Sequence, residues 1–229
     1  DNILGMRMDK ERENLYGELE QQIGRTPLVR SVGDVPNGNS IWIKRECDNP
    51  FGSHYDRVYL ALFKDFEESG KMQPGAKVLE TTSGAAGVSF AGIGKLLGYE
   101  CFVALPAGGE KAREDAIKEH LPSPDHLIFT PADQYISGFP NFLKRFLVEH
   151  RDFVFLNHSM GSRDRASGRY TNNVVTLRAL EGIARESLDE TAVDYFLPAV
   201  GNGSSVLGPG RVFDSGTHVI PFETFQSAV

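Results

Sequence analysis

The residues with the most chemical potential fall in three short runs. The first, Asn49-Pro50-Phe51-Gly52-Ser53-His54-Tyr55-Asp56-Arg57, sets an imidazole, a phenol, a carboxylate and a guanidinium side by side. Imidazole titrates near neutrality, which makes His54 a candidate general base. Tyr55 is a candidate acid–base group, because the dipole of a helix start favours phenolate. The second run, Glu80-Thr81-Thr82-Ser83-Gly84-Ala85-Ala86-Gly87, leads from hydroxyl residues into small ones. Thr82, Ser83 and the N–H groups that follow form a pocket for a carboxylate or phosphate. Close helix–sheet packing would call for the same small residues. The third run, Val200-Gly201-Asn202-Gly203-Ser204-Ser205-Val206-Leu207-Gly208, offers glycines for close backbone approach and successive N–H groups for a phosphate. It is not a dinucleotide fingerprint, since Val206 stands where the last glycine would be, and no lysine follows as a P-loop requires. The chemistry these types support is anion binding beside acid–base groups. No zinc-ligand spacing occurs, so no metal is expected.

The elements around the runs are legible from pattern. Ile41-Trp42-Ile43 reads as a strand before the first run, and Val58 to Lys64 as a helix after it. Pro50 and Gly52 shape a turn between them, and Ser53 with Asp56 has the S-x-x-D spacing of an N-terminal cap. A charged helix covers 9–22, and Pro27 makes the next segment extended rather than a central strand. From residue 77 strands at 77–81, 100–105, 126–130, 153–157, 194–199 and 218–222 alternate with helices near 84–97, 109–120, 137–150 and 166–187. That alternation implies βαβ crossovers and a mostly parallel sheet. The second and third runs each follow a strand end, where α/β proteins bind ligands, and so does the polar loop of His158, Ser159, Arg163 and Asp164.

The first run resembles the N-P-x-G-S-x-K-D-R signature of fold-type-II pyridoxal-phosphate (PLP) enzymes, the cysteine synthase and tryptophan synthase β group. Ile23-Gly24-Arg25-Thr26-Pro27-Leu28 is similar to the I-G-x-T-P-L motif of that family, the second run to its T-S-G-N-T-G loop for the substrate carboxylate, and the third to its G-T-G-G-T phosphate loop. The resemblance covers 23–223 and implies a two-lobed α/β fold of mostly parallel sheets flanked by helices. Residues 77–150 would be the smaller lobe; 1–76 and 151–229 would be a discontinuous larger one. It also implies PLP held at Gly201, Asn202, Gly203, Ser204 and Ser205, with Thr82, Ser83, Gly84 and Ala86 at the substrate carboxylate. The departures matter. The Schiff-base lysine falls on Tyr55, the Asn that contacts the cofactor falls on Ala85, a Thr of the same loop falls on Ala86, and the C-terminal elements that carry the ring-nitrogen partner are expected to be missing.

Composition narrows the classes. In 229 residues with 40% hydrophobic and 24% charged, a sizeable core can form. The net charge of −7 argues against unspecific nucleic-acid or anionic-membrane binding. Two cysteines, no apolar run of membrane-spanning length and no apolar signal centre imply a cytoplasmic chain with free thiols. Three functions stay open. One is a cysteine-synthase-like protein that binds a phosphate or carboxylate ligand, PLP non-covalently or an amino-acid-like small molecule, without ordinary Schiff-base turnover. Another is an active PLP-dependent β-elimination or β-replacement enzyme with an altered lysine. The last is a structural subunit. A homodimer is open as the assembly. Lys44 is expected to be solvated rather than a relocated anchor, and His54 to lie on the surface.

Overall fold

A computed structural model of the chain describes residues 8–33, 35–163, 166 and 168–223. Asp164 and the segment 224–229 lie outside the described residues.

The first helix, α1 (Lys10–Gln22), starts where Asp9 accepts the Arg12 N–H at 2.8 Å. It is too polar to hold by burial, since only Tyr16 and Leu19 are buried within it. One carboxylate ties it down. Glu67 Oε1 accepts the Tyr16 and Tyr99 hydroxyls, each at 2.5 Å, and Arg12 lies 2.6 Å away. Glu67 belongs to α2 (Tyr55–Glu68), and Tyr99 directly precedes β4 (Glu100–Pro106), so the knot joins three elements. Between α1 and α2 run β1 (Leu28–Arg30) and β2 (Trp42–Lys44), an antiparallel pair.

The centre is a parallel four-stranded sheet of order β5-β4-β3-β6, made of β3 (Lys77–Thr81), β4, β5 (Leu127–Thr130) and β6 (Phe153–Phe155). Helices α3 (Ala86–Leu96), α4 (Lys111–Lys118) and α5 (Phe139–Glu149) make the crossovers. Val78, Leu79, Val103 and Ala104 are fully buried, as expected of strands covered on both faces. Because β4 lies on one side of β3 and β6 on the other, the strand order reverses at β3, and the crevice past its C-terminal end is the default ligand position.

Helix α3 sits unusually close to its neighbours. A Cβ at Gly92 would lie 2.2 Å from the Phe51 ring, and one at Gly94 would lie 2.1 Å from Cys101 Sγ. Gly87 is similarly hemmed by Ile117 and Thr82, so packing accounts for much of the small-residue run.

Three expectations are corrected here. The segment expected to be helical from 166 instead forms an antiparallel pair, β7 (Met160–Arg163) and β8 (Tyr170–Asn172). Helix α6 (Val174–Glu190) starts only where Asn173 Oδ1 accepts the Val175 and Thr176 N–H groups. The strands expected at 194–199 and 218–222 shrink to a short parallel pair, β9 (Tyr195–Phe196) and β10 (His218–Val219), with a bridge between Ala199 and Phe222. Beyond β9 comes α7 (Ser204–Gly210). Both cysteines are free, Cys47 exposed and Cys101 buried. No helix among the described residues is long and apolar enough to cross a membrane.

Candidate functional site

The turn before α2 is built by side chains that serve the backbone. Ser53 Oγ accepts the Tyr55 N–H at 3.1 Å, and the Asp56 carboxylate reaches back to the Phe51 N–H at 2.7 Å. Ser89 of α3 donates to Asp56 at 2.5 Å. Asn49 accepts the Gly24 N–H at 2.8 Å and donates to the Ser53 carbonyl at 3.2 Å. The two motifs separated by 20-odd residues in sequence are thus one structure, with Asn49 as the tie.

Beneath this turn lies a closed ion-pair network. Arg57 reaches Glu46 at 2.7 Å and Glu186 of α6 at 2.5 Å; Glu46 also accepts the Thr26 hydroxyl at 2.6 Å. Burial pushes the Glu186 carboxyl up, but hydrogen bonds from Arg57, Lys44 and the Arg25 backbone outweigh it and bring it down to about 2. Lys44 corrects an expectation. It is not solvated: its side chain is 9% exposed, its ammonium lies 2.7 Å from Glu186, and it donates to the Thr26 carbonyl. Its strand shows no alternation of burial, since Trp42 and Ile43 are both exposed; what draws Lys44 in is the acidic partner on α6.

His54 is also corrected: it is not on the surface but half-buried, as Tyr55 is, with ring centroids 4.3 Å apart. Burial lowers the pKa of His54. Burial raises that of Tyr55, and the nearby Glu80 charge raises it further, so the phenol stays protonated and the helix dipole does not prevail.

On the far side of Tyr55 stands a second cluster. The His158 ring meets the Tyr55 ring edge-on at 5.5 Å. His158 Nδ1 lies 3.2 Å from Glu80 Oε2 and 3.1 Å from the Tyr59 hydroxyl, while the His158 backbone N–H donates to Glu80 at 3.0 Å. Glu80 also accepts the Thr81 N–H at 2.8 Å. This carboxylate is 1% exposed, at the end of β3 where the sheet order reverses. Sequence reasoning quoted Glu80 and His158 without assigning them a joint role, and missed Tyr59. A charged residue closing a buried apolar strand was the available signal.

The loop after β3 leaves donors open. Thr82 Oγ1 accepts the Gly84 N–H at 3.0 Å and so bends the chain. The N–H groups of Ser83, Ala85 and Ala86 have no hydrogen-bond partner among the described residues, which makes them a backbone concavity suited to an anion. Arg113 holds the loop by donating to the Ser83 carbonyl at 2.8 Å. Beyond Ser83 opens a cavity of about 510 Å³ whose walls include Gly108, Gly109, Arg113 and Tyr135.

The loop before α7 is partly self-satisfied. Gly203 takes φ +87°, which favours glycine. Asn202 Oδ1 accepts the Ser204 N–H at 3.0 Å, and Asn172 donates to the Asn202 carbonyl at 2.8 Å and to Ser204 Oγ at 3.1 Å. Ser205 Oγ, expected to remain available for a ligand, donates to the Ala199 carbonyl at 2.7 Å. The N–H groups of Gly201, Gly203 and Ser205 have no partner among the described residues. Asn173 donates to the Asn157 carbonyl at 3.0 Å, so the strand holding Asn172 and the segment holding His158 are bonded together. That chain of bonds connects the two loops.

Comparison with known proteins gives this arrangement a setting. Residues 19–227 match the family model described as pyridoxal-phosphate dependent enzyme. A cysteine synthase of Staphylococcus aureus is 29% identical over 196 residues, 85% of this chain and 59% of that protein. Cysteine synthase B of Salmonella typhimurium is 39% identical over 103 residues, 44% of this chain and 34% of that protein. Among solved structures, an O-ureido-L-serine synthase superposes with a TM-score of 0.79 at 22% identity, covering 92% of this chain and 64% of that one. A cysteine synthase of Entamoeba histolytica gives 0.75 at 23% identity, covering 96% and 62%. At those identities the structural likeness speaks for the fold. The chain spans about three fifths of the length of the Staphylococcus relative.

Proposed function

We propose a function from the premise that this chain belongs to the pyridoxal-phosphate-dependent enzyme family: it is a cysteine-synthase-like protein that binds a phosphate- and carboxylate-bearing ligand without forming an ordinary Schiff base. The carboxylate sits on the amides of Ser83, Ala85 and Ala86. The phosphate sits at the Gly201–Ser205 loop. We read residues 77–150 as the lobe carrying the first loop, and the remainder as the lobe carrying α2 and the second.

The observation that carries this reading is the state of the amines around α2. Position 55, where the family resemblance puts the lysine, carries a half-buried, protonated phenol, and a phenol cannot form an imine. Lys44, the nearest lysine before it in the chain, has its ammonium committed to Glu186 and the Thr26 carbonyl.

The fit to PLP is therefore split. When bound, PLP supplies an aldehyde that captures amines and a ring that withdraws electrons. The phosphate end finds free backbone N–H groups at Gly201, Gly203 and Ser205, although Asn202 and Ser205 have turned their own polar atoms inward. The aldehyde end finds no amine at Tyr55. Bound PLP would accordingly be non-covalent.

The active-enzyme reading has one observation in its favour, since the relatives named above are described as synthases. Titrating PLP into the purified chain, recording the visible spectrum, reducing with borohydride and mapping adducts by mass spectrometry separates the two. Saturable binding with no lysine adduct is expected. An adduct at one lysine, Lys44 for example, would establish a relocated anchor and favour the enzyme.

A further inference from the structure

Three strands of the central sheet send their following loops to one cavity. Ser83 comes after β3, Gly108 and Gly109 after β4, and Tyr135 after β5; all four border a space of about 510 Å³. That is the size of a small-molecule site, and it lies past the carboxyl ends of parallel strands, where such sites form. Part of its wall is apolar, since Leu105 and Pro106 close β4 there. The polar part is underused. Arg113 donates one N–H to the Ser83 carbonyl at 2.8 Å, which fixes its guanidinium. Glu110, the acidic group beside it, is 3.7 Å away, beyond hydrogen-bond distance. The other N–H groups of the guanidinium, and the N–H groups of Gly108 and Gly109, have no hydrogen-bond partner among the described residues.

Tyr135 is a second feature that the fold does not account for. Its backbone takes φ +43° and ψ −133°, a conformation that glycine favours and a bulky residue adopts only at a cost. The residue is 56% exposed, and among the described residues its ring meets no other ring and its hydroxyl has no hydrogen-bond partner. An aromatic ring held in a strained backbone on a cavity wall, without packing of its own, is placed to meet something else.

We propose that this cavity binds a small aromatic carboxylate, with the carboxylate on the Arg113 guanidinium and the amides of Gly108 and Gly109 and the ring against Tyr135. A guanidinium fork matches a carboxylate in its plane, and two successive backbone amides add donors. A flat ring covers the exposed phenol and the apolar wall beside it. The side chain of Glu110 is 80% exposed, so water screens its charge and it opposes the anion only weakly. The donors are not those of the Ser83, Ala85 and Ala86 amides, and Arg113 touches that loop only through the Ser83 carbonyl. The inference therefore does not rest on the proposed function.

Titration of the purified wild-type chain with benzoate, followed by ¹H–¹⁵N spectra, tests the site without any variant having to fold. Saturable shifts of the Gly108 and Gly109 amides and of the Arg113 Nε–H are expected. No saturable shift, or shifts at Ala85 and Ala86 that spare Gly108 and Gly109, overturn the proposal. Two further ligands separate charge from ring. Benzyl alcohol, which lacks the charge, is expected to bind about ten-fold more weakly than benzoate, the range for a charge-assisted hydrogen bond, and acetate, which lacks the ring, several-fold more weakly. Equal affinity of either one with benzoate overturns it. Arg113→Gln is expected to abolish the advantage of benzoate over benzyl alcohol. Tyr135→Gly, which suits that backbone, is expected to abolish the advantage over acetate. An undiminished advantage in either folded variant overturns the assignment. Repeating the wild-type titration in excess PLP is expected to give the same Gly108 and Gly109 shifts. Displacement of benzoate by PLP would give the cavity to the PLP ligand and end this proposal, whereas PLP failing to bind counts against the proposed function alone.

Discussion

The two sides of the α2 N-terminus hold similar residue types in opposite states. On one side Arg57, Lys44, Glu46 and Glu186 form a network in which every charge meets an opposite charge within 2.8 Å. On the other, Glu80 is buried with an imidazole, a phenol and backbone donors, and the amides of Ser83, Ala85 and Ala86 point at no partner among the described residues. The first arrangement is complete without a ligand and serves to lock α2 onto α6. The second is incomplete and keeps its polar groups available. Charge content alone does not separate a structural cluster from a binding one; the remaining hydrogen-bonding capacity does.

The sharpest way to break the comparison is to open the closed side. Arg57→Leu leaves Glu46 without its cation and Glu186 with Lys44 alone among the described residues, and is expected to cost about 3–5 kcal/mol in denaturant unfolding, as removal of one member of a buried pair does. A loss below 1 kcal/mol would mean the network is not what fastens α2.

Acid should act on the same side. Glu186 has a folded-state value of about 2 against an ordinary 4.5, so its contribution is fully present above pH 4.5 and is lost as pH falls towards 2. Glu46 is displaced in the same direction, because the hydrogen bonds and charge of Arg57 overcome its burial. Acid unfolding is expected to begin in that window. In Glu186→Gln the acid dependence over the window should be shallower, and an unchanged slope would assign it elsewhere.

A smaller effect is expected at the knot that holds α1. Tyr99→Phe removes one of the two hydroxyls on Glu67 and should cost about 1 kcal/mol in thermal or denaturant unfolding. The smallest is at the second loop. Asn202→Ala removes the acceptor for the Ser204 N–H, worth about 0.5–2 kcal/mol by analogy with a helix cap, and frees that amide. If the loop receives a phosphate, the variant should bind PLP no more weakly than the wild type even though it is less stable. Weaker binding would make Asn202 a ligand contact.

Much of this was legible in the sequence wherever a local rule and the tertiary setting agreed. The α1 range, the β3–α3–β4 unit and the turn before α2 follow from periodicity, Pro50, Gly52 and alternation, because each is decided within a few residues. The capping pair expected of Ser53 and Asp56 does not form: α2 starts at His54 with no side-chain cap, Ser53 accepts the Tyr55 N–H and Asp56 the Phe51 N–H. The chain from 160 to 172 was read partly as helix because its polar residues carry no clear period. Its pairing depends on a partner strand, and only Asn173 starts the helix. Lys44 was misplaced for a related reason, since its deciding partner is Glu186 of α6, far away in sequence. His54 was misplaced too: it is half-buried although a ring packed near it belongs to the next residue, Tyr55. Glu80 and His158 stand 78 positions apart and become a pair only through the β3–β6 register.

The central claim concerns the amine at the start of α2, and the most direct test compares the wild-type chain with Tyr55→Lys. Both are incubated with PLP, reduced with borohydride and digested for mass spectrometry. The account predicts no site-specific lysine adduct in the wild type and one at position 55 in the variant. An adduct at a single lysine of the wild type, or none at position 55 of a folded variant that binds PLP, would contradict it.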